Sequence, residues 1–137
     1  MDPKEEFLEI FYEIDRDGAD KLLDWLEKSD FFTAPASTRR HSAYRGGLCQ
    51  HSINVYKRLV KLCEMEYGKD WQSKVNSESV AIIGLLHDVC KVDTYVEDFK
   101  NVKDEDGVWR KKPYQGHYEM WSPERKPCTT CLSQKVN

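Results

Sequence analysis

Three residues of this chain share a pattern that can do chemistry. His51 lies three positions after Leu48 and four before Val55, while His87 and Asp88 close the apolar run from Val80 to Leu86. At helical spacing, both imidazoles fall on or beside a buried face. Two inward histidines with an adjacent carboxylate are expensive to bury unpaired. A divalent cation removes that cost, because imidazole nitrogen and carboxylate oxygen both ligate borderline or hard cations. A single histidine on an apolar face is more often a core residue holding one hydrogen bond, and His-Asp is a common dipeptide. The spacing alone therefore leaves both readings open.

The elements that must position these residues are mostly helical. Residues 3 to 14 carry Phe7, Leu8, Ile10, Phe11 and Ile14 at helical spacing, and Asp17-Gly18 ends that run. A second helix bears Leu22, Leu23, Trp25 and Leu26 and stops near Ser29-Asp30. The stretch from Phe31 to Arg45, with its Pro and small polar residues, reads as a loop. Gly46-Gly47 precedes a third helix carrying Leu48, Ser52, Val55, Leu59 and Leu62, which runs to about Glu66 and is ended by Gly68. The fourth helix starts at Asn76 or Ser77, either of which can cap it, and runs to about Cys90. Thr94 to Val102 then reads as a strand, Asp104 to Gly107 as a turn, and Val108-Trp109 as the start of a returning strand. The expected hairpin covers residues 94 to 113. The fold class expected is mostly α, a helical bundle with one β-hairpin. Residues 1–114 form its single domain and residues 115–137 an irregular tail.

The segments around the three residues resemble a known family. Gly46-Gly47-Leu48-Cys49-Gln50-His51-Ser52 is similar to the Gly-Gly-Leu-x-x-His-(Ser/Thr) segment that carries the first metal histidine in one branch of the HD-domain proteins. Leu85-Leu86-His87-Asp88-Val89-Cys90-Lys91 resembles that superfamily's Leu-Leu-His-Asp-x-x-Lys. His41-Ser42-Ala43-Tyr44 resembles the His-x-Ala-Tyr that precedes the Gly-Gly in this branch. The resemblance covers residues 31 to about 113. It implies an HD-domain helical bundle and a divalent metal held by His51, His87 and Asp88. It also implies hydrolysis of a phosphate ester, nucleotide-like or related. The ion stays open among zinc, manganese, magnesium, iron, nickel and cobalt. With Asp88, Lys91 is the candidate catalytic group. One turn past His87, its charge can meet a phosphate or simply stabilise a helix C-terminus. His41, Arg45 and Lys91 are the candidate substrate-side groups, each weighed against a purely structural role.

The chain also departs from that family. The usual ligand set ends with another aspartate on a later helix, and no segment beyond Tyr114 reads as such a helix. Asp93, Asp98, Asp104 and Asp106 lie in or near the hairpin, the wrong place for it. The expectation is a fold incomplete in its C-terminal part, with impaired activity. Gly116-His117 matches the first two positions of a Gly-His-Gly-Glu-Lys motif and makes His117 a further candidate ligand, although Tyr118 and Met120 break the match. One permitted back-translation of Pro123 to Gln134, read in a shifted frame, resembles the missing family segment, so a frame change is the expected origin of the tail. Cys128 and Cys131 have the spacing of half a zinc site without a second half.

Composition narrows the function classes. The 137 residues carry 21 basic and 24 acidic side chains, a net charge of -3, with no basic stripe, so extended nucleic-acid binding is not favoured. No apolar run is long enough to span a membrane, and the acidic start lacks a signal-peptide core, which points to the cytoplasm. Five cysteines at irregular spacing argue against a disulfide framework. Cys49, Cys63 and Cys90 are expected as small buried apolar residues. A homodimer is expected to bury either the face of the third and fourth helices, with Leu59, Leu62, Ile82 and Leu86 contributing, or the hairpin edge. Two other functions compete with the hydrolase: a non-catalytic HD remnant, and a regulatory module binding a nucleotide or nucleic acid.

Overall fold

The computed structural model of the chain describes residues 1–121, and the tail from 122 onward, with Cys128 and Cys131, lies outside them. The elements are α1 (Pro3–Phe11), α2 (Ala19–Lys28), α3 (Gly47–Tyr67), α4 (Ser77–Leu86), β1 (Tyr95–Lys103) and β2 (Trp109–Met120). Short 3-10 turns at Trp71–Ser73 and Val89–Lys91 follow α3 and α4. The fold is a mostly helical bundle with one antiparallel hairpin. No helix among the described residues is long and apolar enough to cross a membrane.

The core gathers where the apolar stripes meet. Phe7 and Phe11 of α1, Leu23 and Leu26 of α2, Leu48 and Ile53 of α3 and Leu85 of α4 are buried together with Phe31. Phe7 stacks on Phe11 and meets Phe31 and Phe32 at tilted and edge-on angles, with ring centroids 5.1–5.9 Å apart. α1 stops at Phe11 rather than at residue 14, yet Ile14 still reaches the core through a tight turn in which its N–H donates to the Phe11 carbonyl.

Two glycines set the spacing of the central helices. A Cβ on Gly84 would lie 2.6 Å from the Tyr56 Cα, so α3 and α4 approach closely only because that side chain is missing. A Cβ on Gly47 would lie 2.0 Å from the Ser42 carbonyl oxygen, so the 37–45 loop can press against the start of α3. That loop has no regular structure, as its composition predicts, but much of its approach segment is buried. Ala34, Pro35 and Ala36 are inside the protein. The Leu48 N–H at the start of α3 donates to the Ala34 carbonyl and Gly46 to Thr33, satisfying groups the helix cannot satisfy itself.

α4 begins as expected, with the Asn76 side chain accepting from the Ser79 N–H at 3.1 Å. It ends at Leu86, four residues before the expected Cys90. The His87 ring donates through Nδ1 to the Gly84 carbonyl, the acceptor a continuing helix would offer to the Asp88 N–H, and the chain tightens into the 3-10 turn. The early end corrects the expectation for the cysteines: Cys49 is buried, Cys63 half-buried and Cys90 exposed. It also matters for the expected dimer face. Leu62 is exposed, but Ile82 and Leu86 pack on the core.

The hairpin is longer than expected. The Asp104 carboxylate accepts from the Asp106 and Val108 N–H groups and closes the turn, which Gly107 completes at φ +80°. Pairing runs from Lys103 and Trp109 to Phe99 and Pro113, then resumes past a bulge at Glu97–Phe99 and ends with Tyr95 opposite Met120. The bulge breaks the pairing register, so the strand beyond it carries no continuous two-residue pattern in the sequence.

Candidate metal centre

The second turn of α3 and the residues just past α4 carry the group. His51 Nε2 lies 3.3 Å from His87 Nε2, and Asp88 Oδ2 lies 3.2 Å from the first and 3.3 Å from the second. Among the described residues, these three form the group of histidine, cysteine and acidic side chains able to hold a metal ion, with ligand atoms all within 4.8 Å of one another. The rings of His51 and His87 meet with centroids 5.2 Å apart between α3 and the turn after α4; His51 is half-buried, but His87, just past the end of its helix, is exposed rather than inward.

The donor set fits a cation on chemical grounds. His87 Nδ1 sits 2.8 Å from a carbonyl oxygen, which only accepts, so Nδ1 carries the hydrogen and Nε2 is left with a lone pair. In the neutral ring that lone pair and the Asp88 carboxylate are both acceptors 3.3 Å apart, an arrangement that a shared cation would suit. Burial, opposed by Asp88 and reinforced by His87, His41 and Lys91, holds the His51 imidazole below its ordinary range and disfavours the proton there. Four donors placed tetrahedrally at about 2.0–2.1 Å from zinc stand about 3.3–3.4 Å apart, close to the observed separations.

The other expected residues spread around this group. The exposed His41 has its ring centroid 5.0 Å from that of His51. Lys91 Nζ donates to the Ala36 carbonyl at 2.8 Å and lies 3.2 Å from Asp88 Oδ2, so it faces the loop and the carboxylate. The exposed Arg45 sits near β2, where its charge opposes the upward push of burial and Glu97 on the Tyr118 phenol. Arg39 reaches Glu119 at 4.0 Å. His117 is exposed on β2 and is not a member of the three-residue group. Sequence reasoning missed the Gly84 and Ala36 carbonyls, which hold His87 and Lys91. Backbone groups leave no residue-type signal, although Gly84 does stand one helical turn before His87.

A sequence profile for the HD domain matches residues 48–118, a span that contains all three residues of the group. The chain belongs to the HD-domain family. It is also 33% identical over 92 residues to a dihydroneopterin 2',3'-cyclic phosphate phosphodiesterase of Methanocaldococcus jannaschii. That match covers 65% of this chain and 30% of the relative, so the chain corresponds to about a third of that protein's length. No solved structure matches the chain. The three convergent donors all lie within the matched HD domain.

Proposed function

We propose that this HD domain hydrolyses a small phosphate ester, nucleotide-like in character, at a divalent metal held by His51, His87 and Asp88. The observation that carries the reading is the convergence of three ligand atoms at 3.2–3.3 Å inside a matched HD domain. The activity for which the M. jannaschii relative is named, on a 2',3'-cyclic phosphate, makes cyclic phosphodiesters the first substrates to try. The chain's own residues contribute orientation and charge. His87 is locked by the Gly84 carbonyl, and Asp88 offers its Oδ2 between the two imidazoles. His41 stands beside His51 on the preceding loop, and Arg45 of the same loop lies near Tyr118; both remain candidate substrate-side groups. When bound, a divalent cation supplies Lewis-acid polarisation of a phosphoryl oxygen and a lowered water pKa.

The decisive experiment pairs metal content with turnover. The chain, loaded in turn with zinc, manganese, magnesium, iron, nickel and cobalt, is assayed on 2',3'-cyclic nucleotides, a simple phosphomonoester and bis-p-nitrophenyl phosphate. Metal-dependent hydrolysis that Asp88→Ala abolishes supports the reading. A wild-type chain that binds no divalent metal under any of these conditions sinks it. A second reading rests on the donor count among the described residues: three protein donors hold an ion that binds a nucleotide without turning it over. Metal and nucleotide binding with no hydrolysis selects that reading.

Self-association belongs to the same proposal. The exposed Leu62 and half-buried Leu59 of α3 are the residues a second copy would cover, without Ile82 and Leu86. A purely monomeric elution at tens of micromolar counts against it.

A further inference from the structure

Lys91 stands where two separate parts of the site meet. Its ammonium donates to the Ala36 carbonyl at 2.8 Å and lies 3.2 Å from Asp88 Oδ2, the same oxygen that faces both imidazoles. Ala36 is fully buried in a segment with no strand or helix to join, so its carbonyl must find a partner elsewhere, and the Lys91 ammonium is that partner. With the Lys91 side chain 26% exposed and that of Asp88 18% exposed, both charges are partly removed from water, which strengthens the contact between them.

The loop end of this contact leads straight to the site. The Ala36 N–H donates to the Ser42 carbonyl, and the Ser37 hydroxyl donates to the His41 carbonyl while accepting from the Arg40 N–H. The segment then turns through Gly46 into α3, with its His41 ring against His51. One ammonium therefore joins a carboxylate just beyond α4 to the loop that lies over the histidines.

We propose that Lys91 is a positioning residue that clips the 34–46 segment to Asp88, holding the carboxylate oxygen toward the two imidazoles and the loop above them. Its consequence for metal binding rests on the metal reading given above; the clip itself does not. Three roles for Lys91 differ in sign. As a bare charge beside a ligand oxygen it repels a bound cation, and its removal tightens metal binding. As a substrate contact alone, its removal leaves both metal affinity and the loop unchanged. As a clip, its removal weakens metal binding and loosens the loop.

The test uses the full chain as wild type, Lys91→Met and Lys91→Arg. Zinc and manganese affinities are measured by calorimetric titration, and backbone hydrogen exchange is followed in the metal-free protein. Lys91→Met is expected to bind metal about 10–100-fold more weakly, the range typical of lost outer partners of a metal ligand. Peptides spanning 34–46 should exchange faster in this variant while those of α1 keep their protection, and Lys91→Arg should retain most of both properties. Unchanged exchange across 34–46, or metal binding as tight as or tighter than wild type, overturns the proposal. If the wild type binds no metal, the proposed function fails, and the exchange measurement alone still decides the clip. Should Lys91→Met not fold, Lys91→Gln, a shorter neutral donor, takes its place in both measurements.

Discussion

At the scale of single residues, the site depends on two histidines aimed at one carboxylate oxygen. His51→Ala and His87→Ala each delete a donor, which is a larger loss than removing an outer-shell partner. Each is therefore expected to weaken metal binding by at least about 100-fold. The far-ultraviolet helical signal should persist, because neither ring belongs to the apolar core. Calorimetric titration beside circular dichroism checks both points. The lowered His51 pKa also gives the metal-free protein a pH dependence. The unfolded chain takes up the proton first, at about the ordinary value of 6.5. Above that pH, both states carry a neutral His51 and the group contributes no slope. As pH falls below about 6.5, the unfolded state gains a proton the folded state resists, and stability drops. Urea melts between pH 8 and pH 5 should show this decline, and His51→Gln should flatten part of it. Parallel curves for the two proteins would contradict the shift.

At the scale of elements, the group exists because α3 and α4 approach closely, and Gly84 sets that approach. An added Cβ would meet the Tyr56 Cα at 2.6 Å, a backbone atom that cannot swing aside, so the helices must part. Gly84→Ala is expected to destabilise the fold by about 1–3 kcal/mol, as overpacking does. The same parting separates His51 from His87, so the variant should lose metal affinity along with stability. Urea denaturation and metal titration on the one variant measure both effects. Weakened stability with wild-type metal affinity would show that the site tolerates the shift. The hairpin shows a different logic: an aspartate-closed turn and a bulge fix its register, and its base brings Tyr118 and Glu119 toward Arg45 and Arg39.

At the scale of the whole molecule, a metal held as proposed would join α3 to the turn after α4 and so link folding to binding. The unfolded chain has no such convergent donors, so the ion favours the folded state. At a free metal concentration of about 100 times Kd, the gain is about 2.7 kcal/mol. Thermal melts should therefore rise with added zinc or manganese and fall back with a chelator. Asp88→Ala should show no rise. An identical melting temperature with metal and with chelator in the wild type would mean that the group does not hold an ion at those concentrations.

The sequence by itself determined the helical class, the α3 and α4 segments and the pairing of His51 with His87-Asp88. Those follow from local information: apolar periodicity, the Asn76 cap, the glycines at the ends of α3 and the place of His51 and His87 relative to the apolar positions of their segments. Tertiary structure alone decided the rest. The end of α4 at Leu86 depends on a side chain competing for a backbone carbonyl, and the exposure of Cys90 follows from it. The extension of β2 to Met120 depends on pairing across a bulge, which erases the side-chain alternation that sequence reading needs. The direction of Lys91 depends on Ala36, 55 residues away, whose buried carbonyl had no partner in its own segment. Periodicity records which face a residue takes, whereas a contact between distant backbone and side-chain groups arises only when the faces meet.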